Sequence, residues 1–407
     1  MDRLYKSFLF IGLCALLIFS PIARGAVRIW SATPVELVAY SMIFLWLLKV
    51  ANGKGAAPLR GGPLTAPIAL FAILAASSFA FSIYKHDSFY SLIRLFAYIG
   101  LYYVIANEFS RRMRKNVILL VISVGGIISA YGLLQYFGVS GKSWWYPNEY
   151  LAATYVNHNH FAGYLELIIP VAATVLIANA NDSSIFYKLA LTIFLVFMGA
   201  AFILTQSRGA WISIGLSFLI ATLCIARKGP KAPAKLLIAV MVLVSLASLA
   251  YFAKDIIFSR LSTVTDIRSG EDPSGGRLKI WQGALGMVKD RPLTGVGIGD
   301  FDRGFYRYRP SGFNVRAVYA HNDYLQAAAE MGIFAPFIMI WIFFLAVRAG
   351  LENEADPYAL GCAIGVLSLA LHGVMDFNFH IPSNMLLFTV WIAIIMGERD
   401  IPDVKRT

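Results

Sequence analysis

Charge is what this sequence has least of. Only 14% of its 407 residues are Asp, Glu, Lys or Arg, against about one quarter in a soluble globular chain. With 58% hydrophobic residues and a mean hydropathy of +0.66, that scarcity marks an integral membrane protein. Cysteine is scarce too. Cys14, Cys224 and Cys362 all lie inside apolar runs, so neither a disulfide nor a metal cluster is expected. Acids are outnumbered, 23 against 35 bases, for a formal charge of +12. Such an excess can signal nucleic acid, but most of these bases sit beside apolar runs. Anionic lipid and the positive-inside bias account for them better, and no nucleic-acid partner is expected. No internal repeat and no low-complexity tract appears.

What is present is a series of apolar runs, each near the roughly 20 residues that a bilayer core demands. About twelve are expected to span, near 8–25, 34–50, 65–83, 88–107, 116–137, 161–179, 187–205, 210–226, 235–253, 324–348, 357–375 and 382–397. The run at 88–107 is the weakest, because Arg94 interrupts it. Residues 8–20 resemble a signal-peptide core, but no persuasive cleavage site follows and a retained first helix is expected. The reading is thus an all-α integral membrane protein forming one polytopic domain over 1–407.

Short basic connections set the orientation. Lys49, Lys54 and Arg60 mark one side, with Arg111, Arg112, Arg114 and Lys115. Arg227, Lys228, Lys231, Lys235, Arg348, Arg399, Lys405 and Arg406 join them. A cytoplasmic amino terminus puts all of these inside, and twelve crossings return the carboxyl terminus there. The one long polar connection, 254–323, is then outside, as is 138–160 with Trp144, Trp145 and Tyr146. Positive-inside reasoning exempts long loops, so the eleven Lys and Arg of 254–323 need another explanation.

Chemistry is expected where that loop re-enters the membrane, at Ala320-His-Asn-Asp-Tyr-Leu-Gln326. A neutral imidazole suits the deprotonation of a hydroxyl near neutral pH. Below His321, Leu325, Ala328 and Gly332 form a narrow stripe, while Glu330 falls about half a turn away and is not its partner. Upstream, 275–290 carries Ile280, Trp281, Ala284, Leu285 and Val288 at helical spacing, which fits an amphipathic helix on the membrane surface. Arg277 opens it, either touching lipid headgroups or holding an anion at the helix start.

Pro292–Phe301 has glycines at 295, 297 and 299 but no βαβ context, so a close-packed turn is expected rather than a nucleotide loop. Asp300 and Asp302 are a weak metal pair. Arg303, Arg307, Arg309 and Arg316 follow among Phe301, Phe305, Tyr306, Tyr308 and Phe313. Arginine forks match phosphate oxygens, and aromatic faces suit sugars or lipid.

Two further patches lie at outer span ends. Thr205-Gln-Ser-Arg208-Gly-Ala210 places a charge in a tight connection, where it either snorkels or functions. Tyr155–Tyr164 presents Asn157, His158, Asn159 and His160, with Glu166 below; the two histidines alone are too few for a metal site. Asp376 and His380 are weaker candidates at another span end.

Together these patches resemble the O-antigen ligase/polymerase superfamily. The resemblance rests on Asn157–Ala162, Ser207–Ala210, and the stretch from Arg277 through Pro292–Phe301 to His321-Asn322 and Glu330-Met-Gly332. It implies a GT-C-type membrane glycosyltransferase with a periplasmic site, in the inner membrane, moving a glycan from undecaprenyl pyrophosphate to lipid A core without metal or other cofactor. By that resemblance His321 is the general base, and Arg208 and Arg277 hold the pyrophosphate. Asn157, Asn159, Arg303, Arg307, Arg309 and Asn322 are further candidates for substrate contact. Residues 24–34 hold Arg24 and Arg28 and no acid, unlike many membrane glycosyltransferases, which favours arginine-based chemistry.

Ligase is the first expectation and repeat-unit polymerase the second, since both share these motifs. A protein O-oligosaccharyltransferase comes third, because those relatives usually carry an additional soluble domain. A transporter would place charges and broken helices at mid-membrane, whereas the charges here collect at one face.

Overall fold

The computed structural model describes residues 2–53, 62–139, 150–179, 184–227, 243, 276–353 and 356–397. The expected span at 235–253 apart from Leu243, the loop segment 254–275 and Trp144-Trp145-Tyr146 lie outside these. So do Lys54, Arg60, Lys228, Lys231, Lys235, Arg399, Lys405 and Arg406. Among the described residues every regular element is helical. Eight long helices come first: α1 (Asp2–Ile22), α2 (Ile29–Ala51), α3 (Thr65–Ala80), α4 (Lys85–Glu108), α5 (Arg111–Tyr136), α6 (His158–Ala178), α7 (Ile185–Leu204) and α8 (Arg208–Ala226). Three short ones follow, α9 (Arg277–Asp290), α10 (Phe301–Tyr308) and α11 (Asp323–Met331). The last are α12 (Phe334–Glu352), α13 (Pro357–His372) and α14 (Pro382–Gly397).

Among the described residues nine helices, α1–α8 and α12, are long and apolar enough to cross a membrane, with α3 lengthened by a 3-10 turn from Gly62. Helices α13 and α14 are shorter apolar helices. The chain is therefore a multi-pass membrane protein. Arg94 does not break α4, because its Nε donates to Glu36 Oε1 on α2 at 3.0 Å. A charge within a span is tolerated when it is paired in this way.

One expectation is corrected. The run 324–348 is not a single helix but two, α11 and α12, parted at Gly332. Gly332 has φ +92°, and a Cβ there would lie 2.4 Å from the carbonyl oxygen of Leu293. Only glycine permits that conformation and that contact together. Hydrophobic periodicity runs through a glycine of this kind without registering it.

The helix ends sort onto two faces. On one, Lys49 pairs with Glu108 at 2.7 Å and Arg111 with Asp356 at 3.1 Å. On the other, Tyr155 donates to Ser383 at 2.9 Å and Ser82 to Asp300 at 2.7 Å. The core runs between them. Helix α14 is buried on nearly every side, as expected of a helix apolar all round. Helix α13 presses onto α6 through Gly361 and Gly365, where added Cβ atoms would lie 2.5 Å from Val171 Cα and 2.8 Å from the Leu167 oxygen. Small residues one turn apart let two membrane helices approach closely.

The described part of the long loop buries a small apolar cluster of its own. Ile280, Ala284 and Met287 of α9 meet Val296, Phe301 and Phe305, and Ala329 of α11 closes it. The buried stripe of α9 thus faces protein, where the sequence pattern pointed to a bilayer surface. Leu278 and Leu285 remain exposed on its other side.

Candidate active site

The site is assembled from the connections of the second face. Asn322 caps α11, its Oδ1 accepting from Leu325 N at 2.9 Å. His321, just before the cap, has φ +50°, a left-handed conformation uncommon for a residue with a side chain. Two contacts hold it there. Trp281 Nε1 donates to the oxygen of Ala320 at 3.0 Å, tying α9 to this point. Asp323 N donates to the oxygen of Gly373 at 2.7 Å, tying it to the connection after α13.

That connection supplies the environment of the imidazole. Phe377 stacks on Tyr319 at 4.3 Å between centroids. The His321 and His160 rings both meet it edge to face, at 4.8 and 4.7 Å. Asp376 Oδ1 lies 3.5 Å from His321 Nδ1, an ion-pair distance too long for a formed hydrogen bond. The carboxylate is buried, with 2% of its side chain exposed, whereas His321 keeps 32%. Burial alone would raise the Asp376 carboxyl. Contact with His321 and the nearby His160 and His372 outweigh it and hold the group well below the usual carboxylate range. A part-open imidazole backed by a buried carboxylate is suited to accept a proton and carry the resulting charge.

The three sequence patches converge here. Asn157 caps α6, accepting from Asn159 N at 2.8 Å, so Asn157 and Asn322 both have a structural role as caps. His158 stacks on Tyr150 at 4.5 Å and its Nδ1 meets the Thr205 oxygen at 2.7 Å. That bond joins the α6 start to the turn before α8. His160 is buried, and its Nε2 has no hydrogen-bond partner among the described residues. Among those residues no group of three His, Cys, Asp or Glu is arranged to hold a metal ion.

Arg208 is the first residue of α8 and is exposed. Its neighbour Gly209 lies so close to His372 that a Cβ would be 3.0 Å from that ring, which brings the α8 start to the segment carrying Asp376. Arg277 opens α9, half-buried, and acts electrostatically on His158. Both arginines thus flank the histidine cluster from different helix starts, where free N–H groups also favour an anion.

Of the other candidate arginines, three are engaged elsewhere. Arg303 pairs with Asp87 at 2.8 Å and lies 3.7 Å over the Tyr84 ring. Arg316 binds Asp302 through both oxygens. Arg309 lies 5.3 Å over Tyr306, and Arg307 is exposed. Asp300 is buried and accepts from Ser82 and Tyr84, so it and Asp302 diverge. The glycine turn docks on α11, with Gly297 N donating to the Glu330 oxygen at 2.9 Å and Gly299 N to Glu330 Oε2 at 2.8 Å. Glu330 is accordingly no partner of His321.

Asp376, ranked low on sequence, is the carboxylate nearest the histidine. Its one signal was an acid at the end of an apolar run. Phe377 carried none.

Residues 193–340 match the family model described as O-antigen ligase. The match supports the O-antigen ligase/polymerase superfamily, a group of membrane enzymes of the glycosyltransferase kind. The O-antigen ligase model covers Arg208, Arg277, His321 and the α11–α12 break. Asn157–Ala162 and Asp376 lie beyond its limits. No curated protein matches the chain.

Proposed function

We propose that this chain is an O-antigen ligase, transferring a glycan from undecaprenyl pyrophosphate to the lipid A core at the periplasmic face of the inner membrane. The observation that carries the reading is His321, part-exposed, 3.5 Å from the buried Asp376 carboxylate and flanked by the helix starts bearing Arg208 and Arg277. In the proposed reaction His321 takes the proton of the acceptor hydroxyl as its oxygen attacks the anomeric carbon. The bond to pyrophosphate breaks with inversion, and the two arginine forks hold the departing charge. Pyrophosphate is already a good leaving group, so anion stabilisation and a modest base suffice. Twelve crossings with both termini cytoplasmic complete the picture, and the charge pattern of the short connections supports that orientation. Asn157, Asn159 and Asn322 line the same face; the part of Arg303, Arg307 and Arg309 is secondary, since Arg303 is spent on Asp87.

The test is a lipopolysaccharide gel of a strain lacking this chain, with lipid-linked glycan extracted in parallel. Bare core with long polymer accumulating on undecaprenyl pyrophosphate is the expected result. Core capped by single repeats would replace the ligase with a polymerase. An unchanged ladder would overturn both and direct the assay to exopolysaccharide or glycoprotein.

A further inference from the structure

Two imidazoles of the site share one phenyl ring. His321 and His160 stand across Phe377 at 80° and 75°, their centroids 4.8 and 4.7 Å from it. Tyr319 lies nearly parallel to the same ring, tilted by 16° at 4.3 Å. Phe377 is buried, with 7% of its surface exposed. It directly follows Asp376, and its backbone N–H donates to Asp376 Oδ1 at 2.8 Å. One dipeptide therefore brings His321 both a carboxylate, 3.5 Å from Nδ1, and an aromatic ring.

A buried phenyl group often does no more than fill space, and any apolar side chain of similar size would then serve. The chemistry at this position asks for more. When His321 takes the acceptor's proton it becomes a cation. Asp376 stands at ion-pair distance without a formed hydrogen bond, and His160 and His372 act on the same carboxylate. That leaves part of the new charge for another group to carry. The face of a phenyl ring is the negative part of its quadrupole. It attracts a cation within about 6 Å of the centroid, more strongly where water is excluded. His321 lies inside that distance. A neutral imidazole gains little from the ring and a charged one gains more, so the benefit falls on the transition state. His160 meets the same ring but is buried, out of reach of a substrate hydroxyl. Among these two imidazoles the proton falls to His321.

We propose that Phe377 is a positioning residue for transfer: the ring face left open by Tyr319 steadies the imidazolium that His321 becomes. The inference rests on the transferase reading with His321 as base. With Nδ1–H turned to Asp376, Nε2 is the nitrogen free to accept. The acceptor oxygen gives its proton to Nε2 and its electron pair to the anomeric carbon. The bond from that carbon to the pyrophosphate oxygen breaks, and the leaving group keeps the pair. Phe377 takes no part in bond exchange. Tyr319, stacked against it, fixes the plane of the ring.

The experiment places mono-, di- and trifluorinated phenylalanine at position 377 of the full chain by nonsense suppression. Each fluorine withdraws electron density from the ring face and changes its size little. Transfer is measured in lipid nanodiscs holding the lipid-linked glycan and the lipid A core. The kcat should fall stepwise with fluorine number, to about one fifth in the trifluoro form, with KM unchanged. Phe377→Leu, which keeps apolar bulk and removes the face, should fall at least as far. Equal kcat across the fluorinated series would overturn the proposal even if the Leu variant were slow, since only packing would then matter. A rise in KM at constant kcat would overturn it too, by moving the effect to ground-state binding. The same series at Phe379, packed on Phe343 and Phe388, should leave kcat unchanged; a parallel fall there would count against the ring-face effect. The two readings fail separately. Transfer that depends on His321 with a flat fluorine series removes only the part given to Phe377. Transfer retained in His321→Ala removes the base itself, and the proposal with it.

Discussion

The two faces of this bundle are built from the same kinds of residue and differ in how the backbone is held. On the face with Lys49, Glu108 and Arg111, connections end in ordinary caps: Ser110 accepts from Met113 N, and Asp356 accepts from Tyr358 N and Ala359 N. On the opposite face lie all the described non-glycine residues with positive φ, namely Arg24, Ala26, Ala153, Gln206 and His321. Each such residue costs free energy unless its surroundings over-determine it. Three of them stand in the connections that converge on the site: Ala153 before α6, Gln206 before α8, His321 before α11. One face closes helices; the other spends strain on aiming side chains.

A similar contrast holds between two histidine–carboxylate pairs. His372 Nδ1 meets Glu166 Oε2 at 2.8 Å with 1% and 0% of the side chains exposed. Ser368 donates to the second carboxylate oxygen, and Asn378 contacts the ring. This pair is sealed and saturated, and it locks α6 to α13. His321 and Asp376 are farther apart, and the histidine is open to the outside. Exposure and an unfinished hydrogen bond, rather than residue type, separate the pair proposed to react from the structural one.

The contrast is easiest to break at His321. His321→Ala should cut glycan transfer by about 10²–10⁴-fold, the usual worth of a general base, with protein level and span topology unchanged on immunoblot and accessibility labelling. Retained transfer would end its role as base. Glu166→Ala should act on the other pair in the opposite sense. Leaving His372 buried without its partner should cost on the order of 3–5 kcal/mol of stability, read as lost folded protein in detergent. A variant as stable as wild type would show that the sealed pair contributes nothing.

Arg208→Lys and Arg277→Lys should each lower transfer roughly tenfold or more, because a point charge does not reproduce a fork. Wild-type rates in both would remove the pyrophosphate assignment. Asp376→Asn should slow transfer less than loss of the imidazole and should change the acid limb of stability. The Asp376 carboxyl lies below its ordinary range in the folded protein. Its contribution is therefore present above about pH 4 and is lost as pH falls through the folded value. The Asn variant should show a flatter decline below about pH 4 in thermal melts, and an unchanged limb would contradict the depressed carboxyl. The smallest effect belongs to the capped face. Asp356→Ala should cost about 1 kcal/mol through its helix cap and leave transfer intact; impaired transfer would mean that the two faces are coupled.

Much of this was legible before any coordinates. Apolar runs bounded by charges located the helices, because a bilayer leaves few other ways to satisfy the backbone. His321, Arg208 and Arg277 stood out because they lie in connections expected outside, where the positive-inside bias does not account for them. The break at Gly332 was hidden, since a left-handed glycine leaves hydrophobic spacing undisturbed. The inward turn of α9 was hidden as well, since an amphipathic stripe fits a lipid surface and a protein surface equally.

By itself, the sequence determined the membrane class, most of the described helix positions and the three short segments on which the proposed function draws. These follow from local hydrophobicity and residue type, which act at the range of a helical turn. Only the tertiary structure decided that Asp376, 55 positions beyond His321 in the numbering, is its carboxylate, that Glu166 belongs to His372, and that Arg303 is held by Asp87. Such pairings depend on which helix ends meet in space. That is set by the packing of whole helices, to which no single stretch of sequence holds the answer.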